Sequence, residues 1–303
     1  MRRFYPIGTP GSPWTEDDKA AWLARQSPER SYREEVIDKL EALRDRFEVT
    51  QYGALSMDPA RYPLFAAAPR QPRPDAPWAL VTGGVHGYEK SGVQGALAFL
   101  TGHAEEYADR VNILVAPCVS PWGYETIQRW NHLTIDPNRS FTHGTPCEEA
   151  AALLQLVGSI DARWRMHIDL HETTDTDESE FRPARAARDG ADHGPGMIPD
   201  GFYTVGDSDN PQPGFQAAII AAVREVTHIA PPDENGQIIG ADVEQEGVVN
   251  YPVHELALCT SVTGAPFVST TEVYPDSDGV TEDDCNRAQV AATRGALEFV
   301  LAS

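Results

Sequence analysis

Apolar residues follow two different patterns along the chain. In some segments they recur at spacings of three and four, which is typical of amphipathic helices, and in others they form short continuous runs, which are typical of buried strands. The predicted helices are 29–47, 92–108, 147–160, 214–226 and a last one from near Thr281 to the C-terminus. The predicted strands are 47–55, 62–69, 78–84, 111–117, 165–170 and 266–274.

The order of these segments predicts the fold class. The first two strands are separated by a turn that contains Asp58 and Pro59, so we expect a hairpin at a sheet edge. The later strands alternate with helices, which is typical of an α/β protein whose mostly parallel sheet has helices on both faces. We expect one domain over residues 1–303, with residues 1–28 as an irregular lead broken by Pro and Gly. Residues 172–200 are polar, charged and broken by Gly and Pro, and predict a long loop.

Composition narrows the possible functions. The chain has 46 acidic and 24 basic residues and a formal charge of −22, which repels nucleic acid. Its apolar stretches are shorter than the roughly 18 residues that span a bilayer, and no apolar run follows Arg2 and Arg3 as in a signal peptide. We therefore expect a cytoplasmic protein that binds neither nucleic acid nor membrane. The four cysteines are far apart and are expected to be buried thiols.

Two of the predicted strands are followed by residues that commonly bind metals. In an open α/β sheet, ligands bind at the carboxyl ends of the strands. His86 and Glu89 follow one strand at a spacing of three, so both can reach one ion. His171 follows another strand, two positions after Asp169. Two histidines and a carboxylate are typical of a catalytic zinc site, although each pair alone also fits a surface or capping role.

A third strand leads into a loop that concentrates polar side chains. They are Arg129, Asn131, Asp136, Asn138 and Arg139. Guanidinium groups beside a metal can hold a substrate carboxylate or stabilise the negative charge of a tetrahedral intermediate. The alternative is that these arginines pair with the protein's own acidic residues.

Glu272 is the candidate for a general base. It lies within an apolar predicted strand, where a charge is costly unless it is paired, solvated in a cleft or functional. Beside a bound zinc, such a carboxylate can take a proton and return it to a leaving amine. Glu255 is a second candidate, but the segment VHELAL around it indicates a helix or packing segment rather than a strand exit.

Together these motifs resemble those of the M14-type zinc carboxypeptidases, over roughly residues 30–300. The motifs, in the order of that family, are His86-x-x-Glu89, Arg129-x-Asn131, Asp136-x-Asn138-Arg139-x-Phe141, Asp169-Leu170-His171 and Glu272. The resemblance implies a mixed, largely parallel eight-stranded sheet with helices on both faces. It also implies one Zn²⁺ per chain, bound by His86, Glu89 and His171, with Asp169 orienting a ligand histidine.

The resemblance further implies how a substrate would be held. Arg129 would polarise the scissile carbonyl and hold the oxyanion, and Glu272 would activate the water. Asn138 and Arg139 would bind the terminal carboxylate of the substrate. Pro137 stands where the family usually has Leu, and Ser-Pro-Trp-Gly at 120–123 stands where it often has Asn-Pro-Asp-Gly. No motif fixes the tyrosine that caps the substrate in that family; the candidates are Tyr203, Tyr251 and Tyr274.

Two further functions stay open from the sequence. Deacylases of N-acyl amino acids, related to succinylglutamate desuccinylase and aspartoacylase, share His-x-x-Glu, Asp-x-Asn-Arg-x-Phe and Asp-Leu-His, so the substrate is either a peptide or an N-acyl amino acid with a free carboxylate. The placement of Arg129-x-Asn131 before Asn138 resembles the murein-peptide amidases and favours a peptidase. A metal-binding protein without turnover is the other alternative. The motifs of serine hydrolases and nucleotide-binding loops are absent from the sequence, and the oligomeric state is not predicted.

Overall fold

A computed structural model describes residues 5–194 and 196–303. Residues 1–4, which include Arg2 and Arg3 of the lead, and Pro195 of the 172–200 segment lie outside the described residues. The strands are β1 (Phe47–Ala54), β2 (Pro63–Pro69), β3 (Trp78–Gly83), β4 (Asn112–Ala116), β5 (Trp164–Glu172), β6 (Tyr203–Asp207), β7 (Gln237–Ile238), β8 (Ala241–Asp242), β9 (Val248–Tyr251) and β10 (Phe267–Val273). The α-helices are α1 (Glu16–Leu23), α2 (Asp38–Glu41), α3 (Lys90–Gly102), α4 (Pro121–Thr126), α5 (Glu148–Ser159), α6 (Arg182–Asp189), α7 (Pro213–Arg224) and α8 (Glu282–Ala302).

Eight of the described strands form one mixed sheet, in the order β1-β2-β4-β3-β5-β10-β6-β9. The four central strands β4, β3, β5 and β10 run parallel, as do β6 and β9. The hairpin of β1 and β2 is antiparallel and lies at one edge, as predicted. This arrangement confirms the predicted α/β class with an eight-stranded, mostly parallel sheet.

Helices cover both faces of this sheet. One apolar cluster includes Leu97 of α3, Ile219 of α7 and Leu297 of α8, and another includes Leu153 of α5 packed with Leu80 of β3. The helix predicted from Thr281 begins there because the Thr281 hydroxyl accepts a hydrogen bond from the backbone N–H of Asp284 while the Asp284 carboxylate accepts from that of Thr281. None of the described helices combines the length and apolarity that crossing a membrane requires. All four cysteines are buried free thiols, as expected.

The predicted helix 29–47 is shorter than expected. A π-helical turn at Arg33–Ile37 leads into α2, which ends at Glu41, and the chain then turns into β1. The apolar spacing continues to Phe47 because both Leu43 and Phe47 are buried, but Phe47 pairs with Pro69 in the sheet. The predicted end of the helix at Phe47 was therefore wrong. Phe47 continues the helical spacing of apolar residues, but it belongs to β1.

The lead and the 172–200 segment are more ordered than expected. Residues 1–28 were predicted as irregular, but the lead contains α1, whose first turn is stabilised by a capping box between Thr15 and Asp18. The long loop prediction was also wrong in part, because a π-helical turn at Asp177–Phe181 continues into α6. Helix α6 is rich in Ala and Arg, which favour helices, and it buries Ala184.

Tryptophans from the lead pack beside the loop after β4 that carries Arg129 and Arg139, which we call the arginine loop. Trp14 and Trp22 of the lead contact Trp130, with ring centroids 5.9 and 5.6 Å apart, and Trp22 lies 5.8 Å from Trp122. Arg188 of α6 stacks over Trp130 with its guanidinium carbon 4.4 Å from the ring centroid. The lead, the arginine loop and α6 are therefore packed together.

Candidate metal centre

The chain turns sharply after β3 to present His86 and Glu89. Gly84 adopts φ +61°, a conformation that favours glycine, and a Cβ on Gly87 would lie 1.9 Å from the carbonyl carbon of Gly123. The turn therefore packs directly on the backbone of α4. His86 and Glu89 come just before α3 and are both buried.

His171 reaches the same point from β5. Strands β3 and β5 are parallel neighbours in which Gly83 pairs with Leu170, so their carboxyl ends lie at the same edge of the sheet. Ligand atoms of His86, Glu89 and His171 all lie within 4.8 Å of one another. The structure thus brings together the three residues that the sequence analysis assigned to a metal.

Glu89 lies between the two histidines. Its Oε1 atom is 2.8 Å from Nδ1 of His86, and its Oε2 atom is 2.8 Å from Nδ1 of His171. Burial raises the pKa of Glu89, but the charges of His171 and His86 lower it to about 2. Within the described residues, neither Glu89 Oε2 nor His171 Nδ1 has a hydrogen-bond partner. Two imidazole nitrogens and a carboxylate that converge in this way fit a divalent ion such as zinc.

The opposite nitrogen of each histidine contacts an aspartate. Nε2 of His171 is 2.7 Å from Oδ2 of Asp169, and Nε2 of His86 is 3.1 Å from Oδ1 of Asp136. Thr82 donates a hydrogen bond of 2.6 Å to the other oxygen of Asp169. A carboxylate on the second nitrogen orients the ring and directs Nδ1 toward a metal. Asp169 lies where the resemblance implied, whereas the contact of Asp136 with His86 has no local sequence signal.

Arg129 lies between two carboxylates. Its Nε atom is 3.2 Å from Oδ2 of Asp136, and its Nη1 atom is 3.6 Å from Oδ1 of Asp177. Tyr88 donates a hydrogen bond of 2.8 Å to the same Asp177 oxygen. The alternative that the arginines pair with the protein's own acids therefore describes Arg129. Asp177 was missed because it is one of several acids in a segment predicted as a loop.

Asn131 supports the loop and does not line the cavity. Its amide nitrogen donates a hydrogen bond of 3.0 Å to Glu149, and its carbonyl oxygen accepts from the backbone N–H groups of Leu133 and Ile135. Asn131 is completely buried. Its contribution is to fix the backbone that carries Arg129 and the residues that follow.

Asn138 and Arg139 line a cavity of about 520 Å³ next to the metal-binding residues. They belong to a 3₁₀ turn at Pro137–Arg139, and Asn138 is held by the backbone N–H of Cys259, which donates to its side chain at 2.8 Å. Arg139 donates to the carbonyl oxygen of Asn138 at 2.6 Å. Among the described residues, no carboxylate lies within 4 Å of the Arg139 guanidinium.

Glu272 lines the same cavity from the neighbouring strand. In β10 it is paired with His171 of β5, and its Oε2 atom accepts a hydrogen bond of 2.9 Å from Thr173. Burial raises the pKa of Glu272 to about 8; the nearby carboxylates of Glu89 and Asp177 raise it too, while His171 acts in the opposite direction. The rival Glu255 is exposed and does not line the cavity.

Two of the three candidate tyrosines line the cavity. Tyr203 is buried and its hydroxyl lies 2.7 Å from that of Thr173, while Tyr251 ends β9 and is partly exposed. Tyr274 does not line the cavity, and its hydroxyl donates to Asp175 at 2.9 Å. Tyr203 and Tyr251 therefore remain as candidates that can contact a bound molecule.

Solved structures of metallopeptidases have the same architecture. A proposed metallopeptidase from Shewanella amazonensis SB2B superimposes with a TM-score of 0.65 at 21% identity, over 89% of this chain and 92% of that one. A metallo-carboxypeptidase from Burkholderia cenocepacia gives a TM-score of 0.59 at 16% identity, over 96% of this chain and 70% of that one. Carboxypeptidase A from Helicoverpa armigera gives 0.58 at 11%, over 97% of this chain and 75% of that one.

These similarities concern the fold. No protein-family model matches the sequence, and the comparison with curated proteins found no match. The chain has the metallocarboxypeptidase fold that its motifs implied.

Proposed function

We propose that the protein is a zinc-dependent hydrolase that cleaves an amide bond next to a free carboxylate, and that it acts as a carboxypeptidase on peptides. One observation carries this proposal. The cavity lined by His86, Glu89 and Glu272 is also lined by Asn138 and Arg139, so a metal-binding group, a proton acceptor and a carboxylate-binding pair share one space.

His86, Glu89 and His171 would bind one zinc ion per chain. Such an ion polarises a substrate carbonyl and lowers the pKa of water. Asp136 and Asp169 hold the two imidazole rings so that their Nδ1 atoms point inward. The ligand set therefore needs little rearrangement to bind the ion.

Asn138 and Arg139 would bind the substrate's terminal carboxylate. A guanidinium without a competing carboxylate can form two parallel hydrogen bonds to such a group. This contact fixes the scissile amide relative to Glu272 and Arg129. A substrate whose terminal carboxylate is blocked as an amide would lose the contact.

Glu272 would move the proton and Arg129 would stabilise charge. The Glu272 carboxylate would accept a proton from the attacking water and return it to the leaving nitrogen, as a carboxylate beside a bound metal can do. Arg129 donates hydrogen bonds to the carbonyl oxygen as negative charge develops there. Asp136 and Asp177 fix the guanidinium in place for this contact.

An N-acyl amino acid deacylase is the second candidate. The cavity has walls from α6 and from residues 231–240, and its volume of about 520 Å³ lies in the range of small-molecule sites. A small N-acyl amino acid would present the same amide and carboxylate. The two candidates share a mechanism and differ in what lies on the acyl side.

A substrate screen with zinc-loaded enzyme separates these functions. Blocked di- and tripeptides, their C-terminal amides and a set of N-acetyl and N-succinyl amino acids are incubated with the enzyme, and released amino acids are identified by mass spectrometry. We expect release from free-acid peptides only, and loss of that release in a chelator. Release from N-acyl amino acids alone would make the protein a deacylase. No release from either class would leave a metal-binding protein without turnover.

A further inference from the structure

Four arginines of the described residues line the cavity, and they differ in how their charge is balanced. Arg129 is paired with Asp136 and Asp177, and Arg182 is paired with Glu178 at 2.9 Å. The other two are Arg139 and Arg185. Within residues 5–194 and 196–303, neither forms an ion pair with a carboxylate, although the chain carries a formal charge of −22. Both side chains are exposed, so two cations without an ion-pair partner are available in this cavity to an anionic ligand.

Arg139 and Arg185 are close enough to influence each other. Burial lowers the pKa of Arg139, and the positive charges of Arg129 and Arg185 lower it further, against the effect of Asp136. Both side chains also line an adjoining groove that lies beside Thr134 and Ser140. Arg185 therefore faces the part of the cavity where Arg139 would bind the terminal carboxylate. A single carboxylate would leave the second cation unbalanced.

Helix α6, which carries Arg185, is held at both ends. At its start Phe181 packs on Tyr88, with ring centroids 4.4 Å apart. At its end Arg188 donates to the carbonyl oxygen of Thr134 at 3.0 Å, and its own carbonyl oxygen accepts from the backbone N–H of Trp14 at 2.9 Å. Contacts at both ends make α6 a rigid wall. The packed fold thus sets the backbone position of Arg185, while its side chain is exposed at the cavity.

The carboxylates of the cavity do not favour a basic ligand. Asp233, on the facing wall, accepts hydrogen bonds from the backbone N–H groups of Asn235 and Gln237 at 2.9 and 2.8 Å. Glu172 accepts from the backbone N–H of Ser91 at 2.6 Å. Asp177 is paired with Arg129. Each of these acids is already bound by donors of the protein, and the other two carboxylates of the cavity, Glu89 and Glu272, are assigned to the metal and to proton transfer. Among the described residues, Arg185 has no acidic ion-pair partner.

We propose that Arg185 binds a second carboxylate of the substrate, so that the preferred leaving residue is a dicarboxylic amino acid, glutamate or aspartate. This inference rests on the proposed function, because Arg139 is assigned there to the first carboxylate. The shared chemistry is an amide of an acidic amino acid, and its source is either the C-terminus of a peptide or an N-acyl amino acid.

The test compares substrates that differ only in charge. Zinc-loaded enzyme is assayed on blocked peptides ending in Glu or Gln, and on N-acetylglutamate or N-acetylglutamine as the second arm. In whichever arm the wild type is active, we expect kcat/KM for the glutamate substrate to exceed that for the glutamine substrate by about tenfold or more. The glutamate side chain gains a charge-assisted hydrogen bond that the glutamine side chain lacks. Arg185→Gln should remove this difference, mainly by raising KM for the acidic substrate much more than KM for the amide substrate.

Two further variants separate specific binding from general charge. Arg224→Gln makes the same change in net charge on the exposed face of α7, where Arg224 pairs with Glu246, and should keep the preference. Arg185→Lys keeps the cation and should retain part of it. Equal kcat/KM for Glu and Gln in the wild type, or an unchanged preference in Arg185→Gln, would overturn the proposal and leave the carboxypeptidase assignment standing.

A binding experiment keeps the inference testable if no turnover is found. Isothermal titration calorimetry of the zinc-loaded protein with N-acetylglutamate and N-acetylglutamine measures recognition alone. Tighter binding of the glutamate compound to the wild type, with equal binding of both to Arg185→Gln, would support the role of Arg185. Equal binding of both compounds to the wild type would contradict it.

Discussion

Nδ1 of His171 lies 2.8 Å from Oε2 of Glu89, yet neither atom takes part in a hydrogen bond within the described residues. Buried polar atoms in folded proteins are nearly always hydrogen-bonded, so a buried ion pair whose geometry does not suit a hydrogen bond requires an explanation. An ion that both atoms bind provides one. The relationship also orders the experiments, because metal content can be measured before any substrate is known.

The first prediction concerns metal content. His171→Ala should lower bound zinc from about one ion per chain to near none after dialysis, because it removes one of three protein ligands. Elemental analysis of purified protein measures this. His103→Ala is the control and should leave zinc unchanged, since His103 at the end of α3 forms an ion pair with Glu106 and lies outside the metal-binding group. Full zinc content in the His171 variant would refute the ligand assignment.

The second prediction concerns Asp169. Asp169→Asn removes the charged partner of His171 Nε2 while keeping its size, and should weaken zinc affinity about 10- to 100-fold. Competition with a chromophoric chelator measures the affinity. Asp109→Asn makes the same replacement at an exposed carboxylate and should leave the zinc affinity unchanged. An affinity equal to that of the wild type would show that Asp169 does not orient the ligand.

The third prediction separates catalysis from metal binding. Glu272→Gln should lower kcat by about 100-fold or more, because the amide cannot take up the proton, and should leave zinc content unchanged. The matched control is Glu255→Gln, which changes the exposed rival glutamate and should keep wild-type activity. Wild-type kcat in the Glu272 variant would move the base role to another residue.

The fourth prediction concerns stability at acid pH. Burial lowers the pKa of His167 to about 4, although the charge of Asp169 raises it. Between an unfolded pKa of about 6.5 and this folded value, the unfolded chain binds a proton that the folded protein excludes, so stability falls as pH falls. From pH 7 to pH 5 this site should cost about 2 kcal/mol of the free energy of unfolding.

Urea unfolding of the metal-free protein at both pH values measures that cost. His167→Gln removes the titrating group and should show a loss of stability smaller by about 2 kcal/mol over the same interval. Working without metal removes the separate effect of pH on zinc binding. The same loss in wild type and variant would show that His167 does not set this dependence.

The elements that bring the metal-binding residues together were largely predictable. The apolar runs before His86 and His171 identify two parallel strands, and the ends of neighbouring parallel strands meet at one sheet edge. The cap at Thr281 was predictable because capping depends on residues three apart. These signals are local, because each depends on residues that lie close together in the chain.

The contacts between distant segments were not predictable. The pairing of Asp177 with Arg129 joins a segment predicted as a loop to one 48 positions earlier, and nothing in the sequence distinguishes Asp177 from the acids around it. The role of Arg185 depends on α6, whose helical residues lie among Gly, Pro and charged positions that indicated a loop. Such contacts are set by the packing of three segments, which residue spacing alone does not encode.

The packing of Trp14 and Trp22 on Trp130 provides an intrinsic fluorescence probe of this region. Trp130 follows Arg129 directly in the chain, and Arg188 of α6 stacks on its ring. Four of the six tryptophans are in this group: Trp14, Trp22, Trp122 and Trp130. Trp78 and Trp164 contact each other at the first residues of β3 and β5, away from the metal-binding residues at the other ends of these strands. Intrinsic fluorescence therefore reports mainly on the packing of the lead against the arginine loop and α6, both of which carry cavity-lining arginines. A ligand that shifts this loop or α6 can be followed by tryptophan emission without a dye.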